Sequence, residues 1–107
     1  MISIGDGCKL APDVSFQCKN ITIGSNAVIH NRVTFLGERI TIGDNVWIGQ
    51  DSILDGDSGI SIGDKVTIGF GTYIHTHSAT RGVVKRRDPV VIGDGSWLMS
   101  RVYVNPG

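Results

Sequence analysis

The chain has 107 residues, with ten basic residues balanced by ten acidic ones and two cysteines. This length is that of one domain, 1–107, and the balanced charge excludes a broad nucleic-acid-binding face. No apolar run is long enough to span a membrane, and no signal peptide or lipidation motif is visible, which favours the cytoplasm.

The first element sets a pattern. Ile4-Gly5-Asp6-Gly7 returns as Ile23-Gly24-Ser25-Asn26, Ile42-Gly43-Asp44-Asn45, Ile62-Gly63-Asp64-Lys65 and Ile92-Gly93-Asp94-Gly95, with starts 19, 19, 20 and 30 residues apart. Inside each unit an aliphatic or aromatic residue recurs every six: Ile4/Leu10/Phe16, Ile23/Ile29/Phe35, Ile42/Ile48/Leu54, Ile62/Ile68/Ile74 and Ile92/Leu98/Val104. A short strand turns each of these inward, and a corner of Gly, Asp, Asn or Ser follows. Three hexads make one triangular turn, so the reading is an all-β chain of about five stacked coils, a parallel β-helix. By strand alternation the residue two before each aliphatic also faces in. These positions, among them Ile21, Ala27, Val33, Val46, Ser52 and Thr72, are mostly small or β-branched. A period near 3.6 is absent, so no substantial helix is expected.

In the first unit, Cys8 falls on an inward position and Cys18 near a corner. They read as incidental or buried thiols rather than a disulfide or a nucleophile. In the second, His30 sits in a regular corner and reads as structural. The third carries Asp51, Asp55 and Asp57. The fourth breaks the rhythm with about twelve extra residues between Ile74 and Ile92. This stretch, about 75–89, is expected to be an irregular protruding loop, the usual place for function on a regular scaffold. It holds His75, His77 and the basic run Lys85-Arg86-Arg87, which suits a phosphate-bearing or other anionic ligand, or plain solvent.

Residues one coil apart are neighbours in space. Counting three past each third-side aliphatic gives the column Lys19, Glu38, Asp57, His77. An Asp stacked against a His can fix its tautomer and stabilise the imidazolium, as a general base requires. By the same count His75 lies over Asp55, with Asn105 above.

The outward columns differ by side. The first is Ser3, Thr22, Thr41, Ser61 and Val91; the second Lys9, Val28, Trp47, Thr67 and Trp97; the third Ser15, Thr34, Ile53, Tyr73 and Tyr103. The first reads as solvent-facing, and its threonines suit ordinary β-propensity better than ice binding. The aromatic second and third columns read as contact faces. A prism with two contact faces closes into a ring of three.

With these residues in place, the chain resembles the hexapeptide-repeat acyltransferases. The stretch Ile74-His75-Thr76-His77-Ser78 is similar to the motif carrying the catalytic histidine of the sugar and polysaccharide O-acetyltransferase branch. The stretch 91–107 is similar to the coil after the catalytic loop. The resemblance implies a left-handed β-helix, a homotrimer, acetyl-CoA as acyl donor, a small-molecule acceptor such as a sugar, and no metal. It makes His77 the catalytic base, supported by Asp57. It puts Trp97 and Ser100 at positions lining the acceptor pocket and the pantetheine tunnel, so Met99 and Arg101 beside them join the cofactor site, while stacking and nearness to the loop set His75, Asp55 and Asp51 near the acceptor. The family continues with at least one more coil and a tail, while this sequence stops at Asn105-Pro106-Gly107. Where the family has Ile-Gly after the tryptophan, Leu98-Met99 stands here, setting a Met beside the cofactor path. Two other readings stand beside the enzyme: a non-catalytic trimeric scaffold, and a γ-carbonic-anhydrase-like zinc site. The second would need His30 together with His75 and His77, whose spacing does not match that family's ligands.

Overall fold

The computed structural model describes residues 1–80, 83–87 and 89–104, with the backbone alone described for 77–80 and 83–87. Its parallel strands wind into a left-handed β-helix with three sides. Strands Ile2–Ile4, Ile60–Ile62 and Val90–Ile92, with the later parts of Ser15–Ile23 and Thr34–Ile42, make the first side. Lys9–Leu10, Val28–Ile29, Trp47–Ile48, Thr67–Ile68 and Trp97–Leu98 make the second. The early parts of the two long strands, with Ile53–Gly56, Tyr73–His75 and Tyr103–Val104, make the third.

The register follows the hexads. Ile4, Ile23, Ile42, Ile62 and Ile92 form one column. Leu10, Ile29, Ile48, Ile68 and Leu98 form the next. Phe16, Phe35, Leu54, Ile74 and Val104 form the third. In the middle coils these side chains are almost wholly buried, and Phe16 and Phe35 stack with ring centroids 5.4 Å apart. The lowest rung has a neighbour on one side only, so Ile4 stays 41% exposed.

Turning the chain at each corner needs a left-handed residue. Gly7, Asn26, Asn45, Lys65 and Gly95 fill the first corner with φ between 57° and 74°; Arg32, Asp51, Gly71 and Arg101 fill the second with φ between 58° and 67°. A left-handed side-chain-bearing residue costs about 1–2 kcal/mol. Each fully buried aliphatic contributes about 1.5–3 kcal/mol. With several such side chains buried per coil, the core outweighs its corners.

Two features differ from the sequence expectation. The third corner is not a break in the lower coils: Ser15–Ile23 and Thr34–Ile42 bend through it as single strands, still paired at Cys18↔Gly37. Gly37, at φ 98°, allows this bend without loss of the ladder. This places Cys18 in the core. The insertion is also not an irregular loop. His77–Thr80 and Val83–Arg87 pair as an antiparallel ribbon with a bulge between Ser78 and Ala79. Its threonine and valines favour strand geometry, and pairing satisfies backbone groups that would otherwise need water.

Below the last coil, the first corner is packed without room for a side chain on its glycines. A Cβ on Gly43 would stand 2.8 Å from the carbonyl carbon and oxygen of Gly63 and would strike the Asp64 carboxylate. At Gly93 the same atom meets nothing within 4 Å. Gly43→Ala is therefore expected to lower unfolding free energy by roughly 2–3 kcal/mol, as overpacking against backbone does. Gly93→Ala should be neutral or stabilising by up to about 1 kcal/mol. Urea midpoints of the two variants in the 107-residue chain check the contrast.

Candidate active site

The third corner of the upper coils carries the first group. Tyr73, Ile74 and His75 pair in register with Ile53, Leu54 and Asp55. His75 therefore lies over Asp55, as the coil count predicts. The Tyr73 and His75 rings lie 5.0 Å apart, and Tyr73 lies 6.1 Å from Tyr103. Thr76 is fully buried, and its Oγ1 accepts the Ser58 N–H at 2.8 Å and donates to the Asp55 carbonyl at 3.2 Å. This hydroxyl fixes the point where the chain leaves the coil to form the ribbon. Ser58 follows Asp57 and Thr76 precedes His77, so the bond ties together the two segments that carry the expected Asp–His pair. The strand ladder itself runs only to His75↔Asp55. The side chains of His77 and of the basic run Lys85-Arg86-Arg87, and all of Asn105, lie outside what the structure describes.

The second group lines a groove of about 680 Å³ on the second side and its corner, formed by Trp47, Thr67, Gly69, Phe70, Trp97, Met99 and Ser100. Trp47, Thr67 and Trp97 stack in one outward column. Trp97 is 77% exposed and Met99 75%. Three of the four residues expected at a cofactor site, Trp97, Met99 and Ser100, line this groove. The fourth, Arg101, is next along the corner, its Cγ over Gly71. Sequence reading missed Gly69 and Phe70. They are the counterparts of Met99 and Ser100 one coil below, a signal that column counting could have used.

Asp51 stands apart from Asp55 and Asp57, at the second corner. There Arg32 grips it with two bonds, Nε to Oδ1 at 2.6 Å and Nη2 to Oδ2 at 3.2 Å. The guanidinium holds this carboxyl below its ordinary range, first by hydrogen bonding and then by charge. His30 is likewise on a different corner from His75, its ring 4.7 Å from Trp47. Cys18 donates its thiol to the Asn20 carbonyl at 3.3 Å, and burial pushes its pKa up, the opposite of what a nucleophile needs.

The family described as "hexapeptide repeat of succinyl-transferase" matches residues 39–75. The putative colanic acid biosynthesis acetyltransferases WcaF of Escherichia coli (strain K12) and Shigella flexneri are each 35% identical over 89 residues, covering 79% of this chain and 49% of the relative. The chain thus spans about half the length of these curated relatives. A solved mutant of AntD, an N-acyltransferase from Bacillus cereus in complex with dTDP and Coenzyme A, superposes with a TM-score of 0.86 at 20% identity, covering 97% of this chain and 63% of that one. At that identity the likeness speaks to the fold.

The Arg32–Asp51 pair carries a pH dependence. Asp51 has a lowered folded-state pKa, so its contribution is fully present above the ordinary carboxyl value of 3.8 and fades as pH falls through the lowered value. Arg32→Gln should therefore have a lower urea midpoint than the parent at pH 7. The difference should shrink as the buffer is taken below pH ~3.8 and the carboxyl of the parent protonates.

Proposed function

We propose, from the hexapeptide-repeat match over residues 39–75, the likeness to WcaF and the left-handed β-helix fold, that the chain serves as a donor-binding, base-bearing acetyltransferase unit. The donor is acetyl-CoA, the acceptor a hydroxyl of a sugar or similar small molecule, and the place of action the cytoplasm. The observation that carries this reading is the apolar groove, because its lining includes Trp97 and Ser100, which the family resemblance sets at the acceptor pocket and the pantetheine tunnel, with Met99 between them. The naming of the WcaF relatives as acetyltransferases supports acetyl transfer, and the AntD structure holds Coenzyme A.

The chemistry is direct transfer. His77 removes the proton from the acceptor hydroxyl as its oxygen attacks the thioester carbonyl carbon. The tetrahedral intermediate collapses, the carbon–sulfur bond breaks, and the imidazolium returns its proton to the departing thiolate. Asp57 holds the imidazole in the tautomer that leaves the reacting nitrogen unprotonated. His75 and Asp55, stacked at the same corner, contact the acceptor.

We further propose that the working unit is a trimer. The groove lies on the second side and the His75 corner at the end of the third. Exposed Trp97 and Tyr103, with Tyr73 and Ile53 on the third side, suit a face that another copy covers.

Calorimetric titration of the 107-residue protein with acetyl-CoA tests the reading, with His77→Ala alongside. Saturable binding is expected in both proteins. Coenzyme A release with a hydroxylated sugar should fall about 10²–10⁴-fold in the variant. Absence of binding, or a fully active His77→Ala, would overturn it.

A further inference from the structure

The inward column just ahead of the third side reads Val14, Val33, Ser52, Thr72, Val102. Two hydroxyls interrupt three valines, and both are buried, Ser52 at 0% and Thr72 at 1% exposure. Ser52 Oγ donates to the Gly69 carbonyl at 3.1 Å and accepts the Thr72 N–H at 3.2 Å. Thr72 Oγ1 lies 2.9 Å from the same Gly69 carbonyl and 3.4 Å from the Met99 carbonyl one coil above. Thr72 has one proton to give, and the shorter contact puts it on Gly69, whose oxygen then has a hydroxyl donor for each lone pair, while the Met99 carbonyl only faces that hydroxyl.

The consequence appears on the outer surface. These peptides are trans, and in a trans peptide the carbonyl and the following N–H point in opposite directions. Holding the Gly69 carbonyl inward turns the Phe70 N–H outward, and the Met99 carbonyl does the same for the Ser100 N–H. Both Phe70 and Ser100 line the groove. Neither N–H has an acceptor among the described residues. Glycines keep the space next to them clear: a Cβ on Gly49 or Gly69 would stand 2.5 Å from the nitrogen of Phe70 or Ser100. The two donors repeat at the coil spacing, about 4.8 Å.

We infer that Ser52 and Thr72 are positioning residues. Their buried hydroxyls hold the Gly69–Phe70 peptide so that the Phe70 N–H donates into the groove, one coil below the Ser100 N–H, to the carbonyls of an extended amide chain such as the pantetheine arm of the acyl donor. This rests on the groove being the donor site proposed above. Core packing alone does not call for hydroxyls here, because the same column accepts valine in three other coils.

Thr72→Val keeps the side chain's shape and removes the hydroxyl; Thr72→Ser restores it. Two readouts are needed, the dissociation constants for coenzyme A and for adenosine 3′,5′-bisphosphate, which has no amide chain, and the amide NMR signals of Phe70 and Ser100. In the parent protein coenzyme A should shift both amide signals downfield. Thr72→Val should weaken coenzyme A binding about 10-fold, the size of one or two hydrogen bonds. It should leave bisphosphate binding unchanged and move the Phe70 signal in the free protein, and Thr72→Ser should recover most of the affinity. Equal loss for both ligands, or unchanged coenzyme A affinity in Thr72→Val, overturns the positioning role. Failure of the parent protein to bind coenzyme A overturns the groove reading, and with it this role.

Discussion

Everything in this molecule depends on stacking coils at the spacing of one β-strand, and the first corner shows how the chain does it. Backbone there approaches backbone so closely that Gly5, Gly24, Gly43 and Gly63 have no room for a side chain. The same approach creates a bond. Asp44, Asp64 and Asp94 each accept, at 2.7 Å, a backbone N–H of the coil below, from Ser25, Asp44 and Asp64 respectively. Three like charges in a column repel, but at about 5 Å in water each neighbouring pair costs only ~0.8 kcal/mol. A hydrogen bond to a charged group is worth about 1.5–3 kcal/mol, so the ladder is favourable. The Gly-Asp pair is thus the means by which one coil specifies the height of the next.

A scaffold this repetitive has no intrinsic preference for one coil over another. Distinction arises only where a column changes character, and the changes gather in the upper coils. The aromatic residues of the second column are Trp47 and Trp97, beside Phe70 at the corner. Interior valines give way to Ser52 and Thr72 behind the same wall. Thr76 ends the coil and starts the ribbon. Each substitution is small, but the register is fixed by many buried aliphatics, so a single hydroxyl or ring is held at a defined height and side.

The inward columns could be read from sequence because they depend on a local rule, strand alternation plus a six-residue side, that every coil repeats. The His75–Asp55 pairing followed from the same count. Asp51 was set beside Asp55 and Asp57 by nearness in the chain, yet four to six residues span most of one side, so nearness carried it to another corner and to Arg32. The continuous third corner escaped notice because Gly37 and Cys18 look like turn residues, whereas the bend keeps its ladder. The insertion's pairing escaped because the hexad count has no terms for antiparallel contact. Phe70 carries no motif of its own, and it joins the groove only because the wall is built from two coils in one column.

The proposed chemistry also constrains assembly. Within one chain the groove occupies the second side, while His75 and the start of the ribbon occupy the far end of the third. The sides of a triangular prism face away from one another, so no motion of a single coil stack brings those surfaces together. They meet when the second side of one copy is set against the third-side corner of another. The matching faces differ, so the contact is heterologous, and a heterologous contact either closes into a ring or grows into a filament. For prisms of triangular section the rotation between adjacent contact faces is that of a threefold axis. On the function proposed above, the apolar exposure of Trp97 and Tyr103 answers the same requirement as the separation of groove and base, which is a reacting centre shared between copies.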